Sequence, residues 1–94
     1  MTATAGTLVF IAAEYFRTAR YRKRHQSESH RTPRYRVRYQ LAARPPHEAV
    51  VGPNPKPLLK WRIRESRPGD TVEILLSDDG RYMVDWTNNT LDDL

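Results

Sequence analysis

Residues 34–41 read Arg-Tyr-Arg-Val-Arg-Tyr-Gln-Leu, in which basic or polar side chains alternate with apolar ones over the whole stretch. Successive side chains of a β-strand point to opposite faces, so this pattern predicts a half-buried strand. The inner face would carry Tyr35, Val37, Tyr39 and Leu41, and the outer face would carry Arg34, Arg36, Arg38 and Gln40. We therefore expect a sheet that is apolar on one side and basic on the other.

Three further alternating runs lie between residues 58 and 86. Residues 67–70, Arg-Pro-Gly-Asp, and residues 77–80, Ser-Asp-Asp-Gly, separate these runs and are typical of turns between antiparallel strands. Together the runs predict a three-strand antiparallel meander. The side chains expected to face its core are Trp61, Ile63, Val72, Ile74, Tyr82, Val84 and Trp86.

The first 24 residues combine an apolar stripe with a basic end. The apolar positions recur at the spacing of one helix face, and cations at the end of such a segment favour a helix C-terminus. We therefore predict an amphipathic helix over residues 6–24. The alternative is a short strand at residues 7–13, where Val9, Phe10 and Ile11 are adjacent. The predicted stripe consists of Leu8, Ile11, Ala12, Tyr15, Phe16 and Ala19.

The remaining segments are predicted to be connections. Residues 25–33 are polar and aperiodic, residues 45–57 contain five prolines, and residues 87–94 form an acidic tail. Proline argues against a regular helix or a central strand in the second segment. The length of 94 residues predicts a single small domain over residues 1–94. Its predicted fold is α+β, with one N-terminal amphipathic helix packed on a mostly antiparallel four-stranded sheet; the alternative is a small, partly open β-barrel.

The charge of the chain is positive and unevenly distributed. Sixteen Lys and Arg against eleven Asp and Glu give a net charge of +5. Residues 1–47 hold ten basic and two acidic side chains (+8), whereas residues 48–94 hold six basic and nine acidic ones (−3). Thirteen of the sixteen cations are Arg, whose planar guanidinium suits phosphate. This balance favours a polyanionic partner.

Two basic clusters are the candidate binding site. One lies at the end of the predicted helix, and the other is formed by the outer face of the predicted sheet, where Lys60 would join the arginines of two strands. The alternative is a merely solvated sheet face, on which Glu73 and Asp85 neutralise their neighbours. The predicted nucleic-acid-binding residues are Arg20, Arg22, Lys23, Arg24, Arg34, Arg36, Arg38, Arg62 and Arg64.

The predicted function is that of a small non-enzymatic module that binds nucleic-acid phosphates with little sequence selectivity. The sequence holds no nucleotide-binding or hydrolase motif and no cysteine, and its three histidines are not spaced for a metal site, so we predict no cofactor and no metal. The alternative is a structural or interaction subunit of a virus or phage particle or a ribonucleoprotein. Its complementary basic and acidic ends would pair with a second copy of the chain or within a larger assembly, or the basic end would bind another acidic partner.

The apolar run at residues 8–13 raises the question of a targeting segment. Basic residues follow this run instead of preceding it, which is the wrong order for a secretory signal. The uncharged stretch is also shorter than the roughly 20 residues of a membrane-spanning helix, so we predict no membrane partner. The cytoplasm is the expected compartment, with a mitochondrial presequence and a viral particle left open.

Overall fold

The structure, a computed structural model, describes residues 1–16, 34–52 and 55–92. Residues 17–33 lie outside this part of the chain, and they include the predicted loop at 25–33 and the predicted basic cluster before it. Residues 53, 54, 93 and 94 lie outside it as well. The elements are five strands and two short helices: β1 (Thr2–Phe16), β2 (Arg34–Leu41), β3 (His47–Val51), α1 (Leu59–Glu65), β4 (Thr71–Leu76), β5 (Tyr82–Asn88) and α2 (Asn89–Asp92).

The five strands form a closed barrel in the order β1-β2-β3-β5-β4. β1 closes it, because its first half pairs with β4 and its second half pairs with β2. All neighbouring strands are antiparallel except β3 and β5, which are parallel. The helix α1 lies between the third and fourth strands along the chain. The predicted open sheet of four strands with an N-terminal helix is therefore wrong. The alternative prediction was a partly open barrel, whereas the barrel in the structure is closed.

The barrel interior is apolar and filled by side chains from every strand and from α1. The ring of Trp86 is fully buried and meets Tyr39 edge-on, with 5.6 Å between the ring centroids. Burial raises the pKa of the Tyr39 hydroxyl. The buried apolar residues are Leu8, Tyr35, Val37, Tyr39, Leu41, Ala49, Val51, Leu59, Ile63, Val72, Ile74, Leu76, Met83 and Trp86.

The predicted helix at residues 6–24 is wrong, since residues 2–16 form one long strand. A bulge between Leu8 and Phe10 places one extra residue in β1 and turns both Val9 and Phe10 outward. The inward positions on either side of the bulge, Leu8 and Ile11, are therefore three residues apart. That spacing imitates a helix stripe, which is why periodicity favoured the helix over the strand alternative.

The predicted three-strand meander is wrong in its first strand, because residues 59–65 form α1. Leu59 and Ile63 face the barrel, and their separation of four residues is one helix turn. Trp61 lies on the solvent side and is 44% exposed, so the prediction that it faces the core is also wrong. The turn at residues 67–70 thus joins a helix to β4 and does not join two strands.

The predicted strand β2 and the hairpin between β4 and β5 are present in the structure. Two local details differ from the prediction. A register shift at Leu75 and Leu76 leaves Met83 buried in β5, whereas Tyr82 is exposed. The proline-rich segment 45–57 contains β3, because its prolines fall on either side of His47–Val51 and leave that run free to donate its backbone hydrogen bonds.

A cluster of buried, hydrogen-bonded polar side chains connects the C-terminal end of α1 to β5. The Ser66 hydroxyl accepts hydrogen bonds from Trp86 Nε1 and Asn88 Nδ2, each at 2.9 Å, and donates to the Arg62 carbonyl at 2.7 Å. Asn88 Oδ1 also accepts from the backbone of Thr90 and Leu91. The predicted acidic tail therefore begins as the end of β5 and the helix α2. Neither of the two described helices has the length and apolar character needed to cross a membrane.

Candidate functional site

One outer surface of the barrel carries most of the predicted sheet arginines, and we call it the arginine face. It consists of β2 flanked by the second half of β1 and by β3. Register partners share a face, so Glu14 lies beside Arg36, and Arg38 lies between Ala12 and Glu48. The side chains of this face are Phe10, Ala12, Glu14, Phe16, Arg34, Arg36, Arg38, Gln40, Glu48 and Val50.

Arg36, at the centre of this face, is held by its own neighbours. Its guanidinium donates to Glu14 Oε1 at 2.6 Å and lies over the Phe16 ring, 4.7 Å from the ring centroid. The hydrogen bond and the charge of Arg36 lower the pKa of the Glu14 carboxyl, and Glu14 in turn raises the pKa of Arg36. Arg36 is therefore already neutralised, and it is a weaker anion ligand than the sequence predicted.

Arg34 and Arg38 differ from Arg36 because both side chains are exposed. Within the described residues neither forms an ion pair or a hydrogen bond through its guanidinium. Four residues of strand separate them, which corresponds to about 13 Å. The two guanidinium groups can thus contact separate phosphates of one extended strand.

Two depressions flank β2 near these arginines. The first, which we call the Phe10 groove, has a volume of about 420 Å³ and is lined by Phe10, Arg38, Tyr39, Gln40, Pro46, His47 and Glu48. The second, the Tyr82 cleft, has a volume of about 570 Å³ and is lined by Arg34, Gly52, Pro55, Lys56, Tyr82, Met83 and Val84. Each depression therefore combines an arginine at its border with an exposed aromatic ring. Phe10 is 48% exposed and Tyr82 is 37% exposed.

The cations predicted to complete the basic face lie elsewhere, on α1. Arg62 lies 4.0 Å from Asp85, a carboxylate that also pairs with Lys56 at 3.6 Å. Lys60 lies 5.2 Å from the ring centroid of Tyr15, and Arg64 is exposed on the same helix. Because residues 59–65 are helical, the predicted alternation of Lys60, Arg62 and Arg64 along a strand is wrong. They do not extend the row formed by β2.

The other predicted cluster, Arg20, Arg22, Lys23 and Arg24, lies outside the described residues. Phe16 and Arg34, which bound the segment that contains it, are register partners in the barrel. The segment 17–33 joins these two residues in the sequence.

Sequence reasoning missed Phe10 and Tyr82 as surface aromatics. Tyr82 was assigned to the core because it alternates with Val84 and Trp86, and the register shift in the hairpin reverses that assignment. Phe10 points outward only because of the bulge in β1. A single out-of-phase apolar pair, Val9 and Phe10, is the signal that could have indicated the bulge.

The role of the arginine face is defined neither by a metal site among the described residues nor by similarity to another protein. Across residues 1–16, 34–52 and 55–92, no three His, Asp or Glu side chains form a group that could hold a metal ion. Small β-barrels support several functions, so the fold alone does not assign one. Comparison with protein-family models, with curated proteins and with solved structures found no significant match.

Proposed function

We propose that this protein binds single-stranded nucleic acid on its arginine face, chiefly through the phosphates. The observation that carries the proposal is the pair of exposed guanidinium groups, Arg34 and Arg38, on one strand and beside two exposed aromatic rings. Cations neutralise phosphates and release counterions, while aromatic rings stack on bases that are not paired. The surface therefore offers both interactions that a single strand requires.

The position of this face in the barrel supports the same proposal. The strand order, with α1 between β3 and β4, is similar to that of OB-type barrels, in which oligonucleotides and oligosaccharides bind across the second and third strands. The arginine face lies on the corresponding strands, β2 and β3, and its positive charge favours the nucleic acid over a neutral sugar chain. The segment 17–33, which joins Phe16 to Arg34 in the sequence, contains six more Lys and Arg.

The alternative, a subunit that pairs its acidic surface with a basic one, has less support. Asp70, Asp79 and Asp85 already accept internal hydrogen bonds or ion pairs, and Asp78 pairs with the terminal amino group. These contacts reduce the acidic surface that a second copy could use. Self-association that disappears when the arginine face is altered, without any nucleic-acid binding, would favour this alternative.

The proposal is tested with an unstructured 12-nucleotide strand, by fluorescence anisotropy at several salt concentrations. We expect the affinity to fall with salt, with a log–log slope of about 0.7 per phosphate contacted. The double variant Arg34→Gln/Arg38→Gln should reduce that slope by about 1.4 and weaken binding about 25-fold at 0.1 M salt. Both side chains are exposed, so the far-ultraviolet circular dichroism should not change.

A charge-matched control separates this site from net charge. Ala3→Glu/Thr71→Glu also lowers the net charge by two, but on exposed positions of β1 and β4 that lie away from β2. We expect it to retain the parent salt slope. Equal losses in the two double variants, or a parent protein that does not bind the strand at low salt, would refute the proposed site.

A further inference from the structure

The Phe10 groove has an unusual composition for a phosphate-binding surface. Glu48 borders it and is exposed, and it accepts no hydrogen bond from the described residues. Gln40 donates its amide to the Arg44 carbonyl at 3.1 Å, which leaves the Gln40 side-chain oxygen as a second acceptor. A carboxylate beside Arg38 repels phosphate, so this groove is better suited to another part of the strand.

Both acceptors suit a ligand that donates hydrogen bonds. Cytosine, adenine and guanine each carry an exocyclic amino group, whereas thymine and uracil carry carbonyl oxygens and no amino group. A carboxylate oxygen accepts well from the amino group of cytosine and repels the carbonyl oxygen of thymine. The Phe10 ring, which the bulge turns outward at the border of the groove, provides the surface on which the base stacks.

We infer that the Phe10 groove binds one unpaired base that carries an exocyclic amino group, and that Glu48 accepts a hydrogen bond from that group. Arg38, the register partner of Glu48, holds the adjacent phosphate. This inference rests on the proposed function and adds a base preference to it. The volume of about 420 Å³ accommodates a pyrimidine or a purine ring together with water.

The test compares labelled 12-nucleotide strands of deoxycytidine and of thymidine, at pH 8 and constant salt. A charge-assisted hydrogen bond contributes about 1.5 kcal/mol, so the parent should bind the cytosine strand roughly tenfold more tightly. Glu48→Gln should reduce this ratio to near one, mainly by improving the binding of the thymidine strand. The ratio is the readout, because removal of a negative charge strengthens the binding of both strands.

Matched variants isolate the two parts of the groove. Glu73→Gln makes the same charge change on β4, outside the groove, and should leave the ratio unchanged. Phe10→Ala should weaken the binding of both strands roughly tenfold, through lost stacking, with the ratio retained. Val9→Ala removes the neighbouring outward side chain, which is 49% exposed, and should have little effect.

The possible failures are distinguishable. Salt-dependent binding of both strands with equal affinity, unaffected by Glu48→Gln, would overturn the base preference and leave the proposed function standing. Equal competition by a duplex of the same length would overturn both the base preference and the single-strand preference of the proposed function, because a paired base cannot enter the groove. A parent protein that binds neither strand would overturn the proposed function itself.

Discussion

The barrel has two outer surfaces that share β1 and differ in charge. The arginine face contains the second half of β1, whereas the first half of β1 lies on a surface with β4 and β5. We call the latter the small-residue face, and its side chains are Ala3, Ala5, Thr7, Thr71, Glu73, Leu75, Asp85 and Thr87. Among the described residues, the strands of this second face contribute two carboxylates, no Lys or Arg and no aromatic side chain to it, although Lys56 and Arg62 reach Asp85 from outside these strands. One fold therefore presents the proposed binding surface and a face of mostly small side chains.

The comparison shows that the barrel alone does not produce the candidate site. Both faces use the same backbone hydrogen bonding, and the buried residues of β2 and β4 alternate in the same way. They differ in two features. Three of the four outward positions of β2 are arginines, and a bulge in β1 exposes Phe10. The proposed function therefore depends on the outward half of each alternation, which contributes little to the core.

The largest expected effect comes from a substitution in the core, which destabilises the whole barrel and therefore both faces. Trp86 is fully buried, contacts Tyr39 and donates a hydrogen bond to Ser66. Trp86→Ala removes this packing and leaves the Ser66 hydroxyl with one donor fewer, and we expect a loss of about 3–5 kcal/mol in the free energy of unfolding. Urea denaturation measures this loss, which is enough to unfold a small domain.

The other tryptophan supplies the matched control. Trp61 is 44% exposed on α1, so Trp61→Ala should change the stability by less than about 1 kcal/mol. In the parent, iodide should quench Trp61 fluorescence much more than that of Trp86. Equal costs for the two substitutions would contradict the placement of α1 against the barrel.

A smaller effect sharpens the difference between arginines within the arginine face. Glu14→Gln removes the partner that neutralises Arg36 and so makes its guanidinium available to phosphate. We expect one additional phosphate contact, which corresponds to about fivefold tighter binding at 0.1 M salt and a slope larger by about 0.7. The measurement is again the anisotropy titration at several salt concentrations.

The control for this gain lies on the small-residue face. Glu73→Gln makes the same charge change on β4, where the side chain is exposed and has no ion-pair partner among the described residues. It should increase the affinity less than Glu14→Gln and leave the slope unchanged. A slope that responds equally to both variants would show that Arg36 is not restrained by Glu14.

The sequence alone predicts the parts of this fold in which alternation is unbroken. β2 and β4 have buried positions in strict alternation, and the turn at 77–80 correctly indicates a hairpin. β1 was missed because a bulge changes the period of its inward residues from two to three. α1 was missed because seven residues are too few to separate a period of two from one helix turn.

The candidate site was predictable to the same extent. The arginines of β2 could be placed on an outer face because their strand is regular. Neither the ion pair of Arg36 nor the displacement of Arg62 and Arg64 onto a helix could be read from composition, because both depend on which segments become neighbours. Closure of the barrel, which brings Glu14 beside Arg36, is a long-range pairing that no local pattern specifies.

The smallest expected effect is a pH dependence that distinguishes Glu14 on the arginine face from Glu73 on the small-residue face. In the folded protein, Arg36 lowers the pKa of the Glu14 carboxyl below its ordinary value of 4.5. This interaction is absent in the unfolded chain. Because the folded-state pKa is the lower one, the pair stabilises the protein fully above the ordinary value, and the contribution is lost as the pH falls through the folded-state pKa. The stability difference between the parent and Glu14→Gln, measured by urea denaturation, should thus be constant from pH 7 to about pH 5.5 and shrink towards pH 3. The difference between the parent and Glu73→Gln should not follow this profile, and a Glu14 difference that persists at pH 3 would show that the side chain acts through packing and not through its charge.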